Sequence, residues 1–184
     1  MSKVYVFLAD GFEEIEALTV VDILRRAGAD LQTVSVMESK SLEGRSGIRV
    51  TADILFEECS PETADLLVLP GGMPGTKYLM MHSGLREALL QADREKRLIG
   101  AICAAPTVLG SLGITEGRRA TSYPGMADKL KGCTYVEDEA VVTDGHIVTS
   151  RGAGTAMAFS LKLTALLFGE EKASEISRSV VCMP

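Results

Sequence analysis

The stretch "LIGAICAAPTVLG", residues 98–110, decides the fold. Its first five residues form an apolar run of strand length. The residues that follow, "AAPTVLGSLG" (104–113), have helical character, with Pro106 in a first turn that tolerates a missing N–H. Cys103 stands at the join. An unbroken apolar strand running straight into a helix is the unit of a parallel sheet covered on both faces.

The same alternation recurs on either side. "KVYVFLA" (3–9) reads as a strand, followed by a turn at "DG" and a helix over "FEEIEALTVVDILRRAG" (12–28) that Gly28 ends. "DLQTVSVM" (30–37) is a strand, and the turn-rich "KSLEGRSGIRVT" (40–51) holds a short edge strand or hairpin. "ADLLVLPGG" (64–72) is a buried strand that stops at Pro70, and "SGLREALLQADREK" (83–96) is helical. Beyond the central stretch, "AVVTDGHIVTS" (140–150) reads as two strands about an Asp144-Gly145 turn, and "TAMAFSLKLTALLFG" (155–169) as a largely buried helix. Right-handed crossovers then place helices on both faces of a mostly parallel sheet, an α/β sandwich. Ligands of such sheets gather outside the carboxyl ends of the strands. Three sequences fall there and are expected to converge: "ADGFEE", "PGGMPG" and "CAAPT".

A chain of 184 residues with no linker composition is expected to form one domain over residues 1–184. Nineteen Lys and Arg against 25 Asp and Glu give a net charge of -6, which opposes an extended phosphate-binding surface and a nucleic-acid partner. The opening apolar stretch is too short for a signal-peptide core, and no run approaches the roughly 18 apolar residues of a membrane span. A cytoplasmic protein with no membrane partner is the expectation.

Four cysteines, Cys59, Cys103, Cys133 and Cys182, make no C-x-x-C pair and are expected to be reduced thiols. His82 and His146 share no metal-ligand spacing with each other or with a cysteine, so no metal site is expected. "LPGGMPG" lacks the ending of a phosphate-binding loop. "RGAGTAM" puts Met157 at the third glycine position of a dinucleotide fingerprint. Gly71 and Gly72 are better suited to bringing a backbone amide close to a reacting oxygen.

Cys103 has two readings from position alone. It is either a small buried hydrophobe or a thiol at a strand-to-helix turn, where free N–H groups and the helix dipole would favour the thiolate. Cys59, Cys133 and Cys182 have no comparable setting. Glu13, Glu14 and Glu16 open the first helix, where the dipole favours acids in any case. Glu16 has apolar Val20, Ile23 and Ala27 along its face, and Glu13 has Ala17, Val20 and Leu24, so helical periodicity does not choose between them. A glutamate desolvated by such a stripe would hold its proton and could share it with a nearby thiolate.

"ADGFEEIEAL", "VDILRRAG", "LVLPGG", "AICAAPTVL" and "TSRGAGTA", in this order and spacing, resemble the ThiJ/PfpI superfamily, in particular its parkinsonism-associated protein deglycase branch. The resemblance spans essentially the whole chain. It implies a flavodoxin-like three-layer sandwich that forms a homodimer, with Cys103 as nucleophile and oxidation-sensitive thiol and Glu16, rather than Glu13, as its protonated partner. It further implies that the amides of Gly72 and Ala104 stabilise an oxyanion, and that Arg45, in "GRSG", and Arg151, in "TSRG", line the pocket or the dimer interface. Some members carry a histidine before a proline near the cysteine. Here Tyr123, a further candidate for lining the pocket or the dimer interface, precedes Pro124, and a phenol with a pKa of about 10 does not act as a base near neutrality. Peptidase members place a histidine directly after the elbow cysteine, where this chain has Ala104, so a Cys-His peptidase mechanism lacks its base.

The leading expectation is therefore a cofactor-independent glyoxalase or deglycase acting on methylglyoxal, glyoxal and their early adducts. The alternatives are an oxidative-stress sensor or chaperone whose Cys103 becomes a sulfinate, and a small-molecule hydratase.

Overall fold

A computed structural model describes residues 2–182. In chain order the elements are β1 (Lys3–Leu8), α1 (Glu14–Arg26), β2 (Asp30–Ser35), β3 (Ser41–Glu43), β4 (Arg49–Thr51), β5 (Ile54–Leu55), β6 (Leu66–Leu69), α2 (Gly75–Met81), α3 (Ser83–Arg94), β7 (Leu98–Ile102), α4 (Pro106–Ser111), β8 (Arg119–Ala120), β9 (Thr134–Tyr135), β10 (Val141–Asp144), β11 (Ile147–Ser150), α5 (Ala156–Phe168) and α6 (Glu170–Ser179). Seven strands form the central sheet in the order β10-β11-β7-β6-β1-β2-β5. All its pairings are parallel except β10 with β11. This is the expected flavodoxin-like three-layer sandwich.

Period-two alternation distributes the core. Tyr5, Phe7, Leu67, Leu69, Ile99 and Ala101 face α3 and α4 through Leu85, Leu89, Val108 and Leu109. Val4, Val6, Leu66, Val68 and Ile102 face α1 and α5 through Val20, Leu24, Phe159 and Leu163. With both faces covered, the strands read as continuous apolar runs, and each buried Leu, Val or Phe contributes roughly 1.5–3 kcal/mol. On the outer side of α1, Ile23 and Ala27 pack with Ile176 of α6. No helix among the described residues is long and apolar enough to cross a membrane.

Three details differ from or refine the sequence expectation. The "KSLEGRSGIRVT" segment is an antiparallel hairpin, β3 with β4, separate from the main sheet. The β10–β11 turn is displaced by one residue: Asp144 pairs with Ile147, leaving Gly145 and His146 as the loop, with φ +60° at Gly145. Helices α2 and α6 and the β8–β9 pair have no counterpart in the sequence reading.

The chain leaves β1 for β2 on one side and returns to place β6 on the other. That reversal opens a crevice at the carboxyl ends of β1 and β6, where open α/β sheets bind ligands.

Candidate active site

The crevice is built by the three loops that leave β1, β6 and β7. The Glu13 amide donates to the Gly71 carbonyl at 2.9 Å, joining the first loop to the second. The Gly71 amide donates back to Glu16 Oε2 at 2.8 Å. Gly72 has φ +90°, and a Cβ there would stand 2.4 Å from the Glu13 nitrogen, so only glycine fits. At Gly71 a Cβ would lie 2.6 Å from Cys103 Cβ and 2.8 Å from Glu16 Oε2. The missing side chain is what lets the carboxyl and the thiol approach each other.

Cys103 has φ +65°, the left-handed region, which costs an L-residue roughly 1–2 kcal/mol. Its backbone is fixed from both sides: its amide donates to the Ser150 carbonyl at 3.0 Å, and its carbonyl accepts from the Tyr123 amide at 2.7 Å. A strained, over-determined residue at a strand-to-helix turn is the geometry of a nucleophile elbow. The amides of Ala104 and Gly72 both face the sulfur.

The three glutamates at the start of α1, Glu13 just before it and Glu14 and Glu16 in its first turn, divide their roles. Glu16 is fully buried, its Oε1 has no hydrogen-bond partner, and the Cys103 thiol is the side chain that hydrogen-bonds its carboxyl group. Burial pushes its pKa up to about 7, against the lowering effect of Cys103 and the Gly71 amide. Glu13, which the helical wheel ranked equally, instead meets the Arg45 guanidinium at 3.3 Å. Glu14 is buried too, and its Oε1 accepts from the amides of Ser46 at 2.8 Å and Ile48 at 3.4 Å, tethering the loop that carries Arg45. That tether joins residues 32 and 34 positions apart, and nothing in the local sequence signals it.

The expectation of a thiol made acidic by its position is corrected. The Ala104 and Gly72 amides do act in the expected direction, but burial, followed by the charge of Glu16 and its hydrogen bond, outweighs them and pushes Cys103 up to about 12. Helix α4 begins only at Pro106 and is six residues long, so little of a macrodipole reaches the sulfur. Near neutrality the pair thus rests as thiol beside carboxyl, with Glu16 the group poised to gain or lose a proton.

The other expected residues sit around this pair. Arg45 bridges to Glu13 and its charge reaches Glu16. Tyr123 is half exposed and touches the elbow through its backbone amide. Arg151, directly after β11, donates to Thr121 Oγ1 at 3.3 Å rather than into the crevice. Neither histidine serves the thiol. His82 accepts from the Leu85 amide at the start of α3, and His146 lies 2.8 Å from Asp93 at the far end of the sheet.

Comparison with known proteins bears on what this geometry is. A family model described as the DJ-1/PfpI family matches residues 2–166. The chain belongs to the DJ-1/PfpI family. The DJ-1 homolog B of Arabidopsis thaliana is 40% identical over 183 residues, 99% of this chain and 42% of that protein. The chain thus spans less than half the length of that relative. A Caenorhabditis elegans protein named as a glutathione-independent glyoxalase is 35% identical over 167 residues, covering 89% of this chain and 87% of its own. The solved structure of an oxidised Toxoplasma gondii DJ-1 superimposes with a TM-score of 0.94 at 36% identity, covering 98% of each chain.

Proposed function

We propose that the protein is a cofactor-independent glyoxalase or deglycase that converts methylglyoxal or glyoxal, and their early adducts, to α-hydroxy acids. The observation that carries this reading is the left-handed Cys103 set against a fully buried Glu16 whose pKa lies near 7. A proton carrier works best when its pKa matches the operating pH.

With methylglyoxal, the Cys103 sulfur forms a bond to the aldehyde carbon while the thiol proton passes to the Glu16 carboxylate. The amides of Gly72 and Ala104 hold the developing oxyanion. Glu16 returns that proton to the oxygen, giving a neutral hemithioacetal. It then removes the hydrogen on the former aldehyde carbon and delivers it to the neighbouring carbonyl carbon through an enediolate, while the hydroxyl proton crosses to the neighbouring oxygen, leaving a C=O on the sulfur-bearing carbon and a hydroxyl on the next. The product is a thioester, which water hydrolyses to lactate, regenerating the thiol. The sum is methylglyoxal plus water to lactate, with no oxidant, reductant or metal in the balance. The relative named as a glyoxalase supports the reaction class. The purified protein is expected to form lactate from methylglyoxal, and Cys103→Ser to form none. Equal rates for the two proteins would end the proposal.

A homodimer is part of the same proposal. Ile15 and Leu18, one turn apart on α1, are 57% and 38% exposed, and Ile48, in the loop that Glu14 tethers, is 53% exposed. These make an apolar surface suited to a second copy of the chain.

A second reading, an oxidation sensor, draws on the partly exposed Cys103 and on the similarity to an oxidised relative. Two equivalents of peroxide would carry the thiol to a sulfinate with release of two waters. The raised thiol pKa weighs against it, since the thiolate is the form peroxide attacks.

A further inference from the structure

On the face of the sheet opposite Glu16, a groove of about 750 Å³ runs between α2, α4 and the segment 126–131. Its size suits a small molecule. Its apolar lining comes from Met73, Met80 and Met126, flexible and polarisable side chains that adapt to varied shapes. Its charge comes from Lys77, Lys129 and Lys131 against the single acid Asp128. Lys129 stands 3.6 Å from Asp128, whereas among the described residues Lys77 and Lys131 have no ion pair. A cluster of cations is notable in a chain whose net charge is -6.

The hydroxyls that border the groove are already committed. Thr76 donates to the Gly72 carbonyl at 2.9 Å, Thr107 to the Ala104 carbonyl at 2.6 Å, and Ser111 to the Val108 carbonyl at 2.7 Å. A ligand therefore finds its donors in the lysine ammonium groups, and these select an anion. Two of the hydroxyl bonds hold the residues whose amides face the Cys103 sulfur, so the groove adjoins the back of the elbow without containing the thiol.

We propose that this groove is a second binding site, for a soluble amphipathic organic anion: an apolar body laid along the methionines, with a carboxylate or phosphate head between Lys77 and Lys131. The proposal is independent of the chemistry at Cys103.

Octyl phosphate is a suitable probe, titrated into the full chain by calorimetry at low salt. One molecule is expected to bind per chain, with octylammonium and octanol at least tenfold weaker. Both lysines are exposed, so the double variant Lys77→Glu/Lys131→Glu is expected to keep the wild-type circular dichroism and melting temperature while binding at least tenfold more weakly. Lys77→Gln/Lys131→Gln is expected to fall between the two. Cys103→Ala is expected to bind as wild type does, which separates this site from the crevice. Unchanged affinity in the charge-reversed protein, octylammonium binding as tightly as octyl phosphate, or no saturable binding would each overturn the proposal. Binding only to phosphatidic acid vesicles, with none to monomeric octyl phosphate, would assign the lysines to a membrane surface and overturn it as well.

Discussion

Replacing Glu16 by Gln is expected to make Cys103 more reactive and the proposed lactate formation slower at once. The buried carboxylate raises the thiol pKa by its charge and by its hydrogen bond, after burial itself. Two unit charges about 4 Å apart at an effective dielectric of about 20 interact by ~4 kcal/mol. Removing one of them is therefore worth about three powers of ten in thiolate population at fixed pH. The amides of Ala104 and Gly72 stay in place and continue to favour the anion.

The assay is the rate of iodoacetamide alkylation at Cys103 against pH, read by mass spectrometry of the Cys103 peptide. In wild type Glu16 ionises first, and burial together with its charge then holds the proton on the Cys103 sulfur well above neutrality. Just above the Glu16 transition the proton count of the pair is nearly constant, so the thiolate fraction, and with it the alkylation rate, is expected to be low and to change little with pH. In Glu16→Gln the rate is expected to rise tenfold per pH unit up to the thiol's own, lower pKa, and to exceed wild type above about pH 8. Lactate formation is expected to be lost, because the group that moves the proton is gone. Slower alkylation of the variant across the whole range would mean that Glu16 stabilises the thiolate by donating to it, and would refute the assignment of the resting proton to sulfur.

Four further outcomes follow from the same geometry. Glu16 has a folded-state pKa near 7 against an ordinary 4.5, so its contribution to stability is full below about pH 4.5 and is lost as pH rises through 7. The stability of Glu16→Gln relative to wild type should grow by ~3 kcal/mol between pH 4 and pH 8, measured by urea denaturation, and a constant difference would contradict the burial argument. Gly71→Ala puts a methyl 2.6 Å from Cys103 Cβ, and should cost about 1–3 kcal/mol of stability and ~100-fold in turnover; wild-type kinetics would show that the close approach of acid and thiol is dispensable. Cys103→Gly should be more stable than Cys103→Ala by about 1 kcal/mol in chemical denaturation, the reverse of the usual order, since only glycine is at ease at φ +65°. Ile15→Lys should convert a dimer to a monomer in sedimentation, and an unchanged mass would remove α1 from the interface.

The parts legible in the sequence share one physical feature: their patterns arise from a few consecutive residues. β1, β6 and β7 are buried on both faces, so they show as unbroken apolar runs, and α1 and α5 show because each buries a wide face. α2 is seven residues long and follows Pro74, and α6 buries only Ala173 and Ile176, so neither carries enough periodicity to stand out. β8 and β9 have two residues each and exist only because the fold pairs them. The site divides in the same way. The elbow could be read from a strand abutting a helix at Cys103, whereas the choice of Glu16 over Glu13 could not. Helical periodicity leaves that choice open and only the family resemblance makes it, because its physical basis lies in Arg45, 32 residues beyond Glu13, and in the Gly71 amide, 55 residues beyond Glu16.

The proton's position was the least legible quantity, because it is a difference between opposed effects of which local sequence displays only one. Amides near a strand-to-helix turn can be inferred from "CAAPT", and they favour the anion. The burial of the sulfur and the presence of an ionised neighbour are properties of three loops brought together, and they favour the thiol. The same burial that makes Cys103 a poor acid raises Glu16 to about 7, and this turns an ordinary helix-start glutamate into a base at neutral pH. Cys103 therefore need not be a standing thiolate for the proposed chemistry to run: a thiol that gives up its proton only as the S–C bond forms needs just such a carboxylate within reach, and Gly71, by lacking a side chain, leaves room for it there.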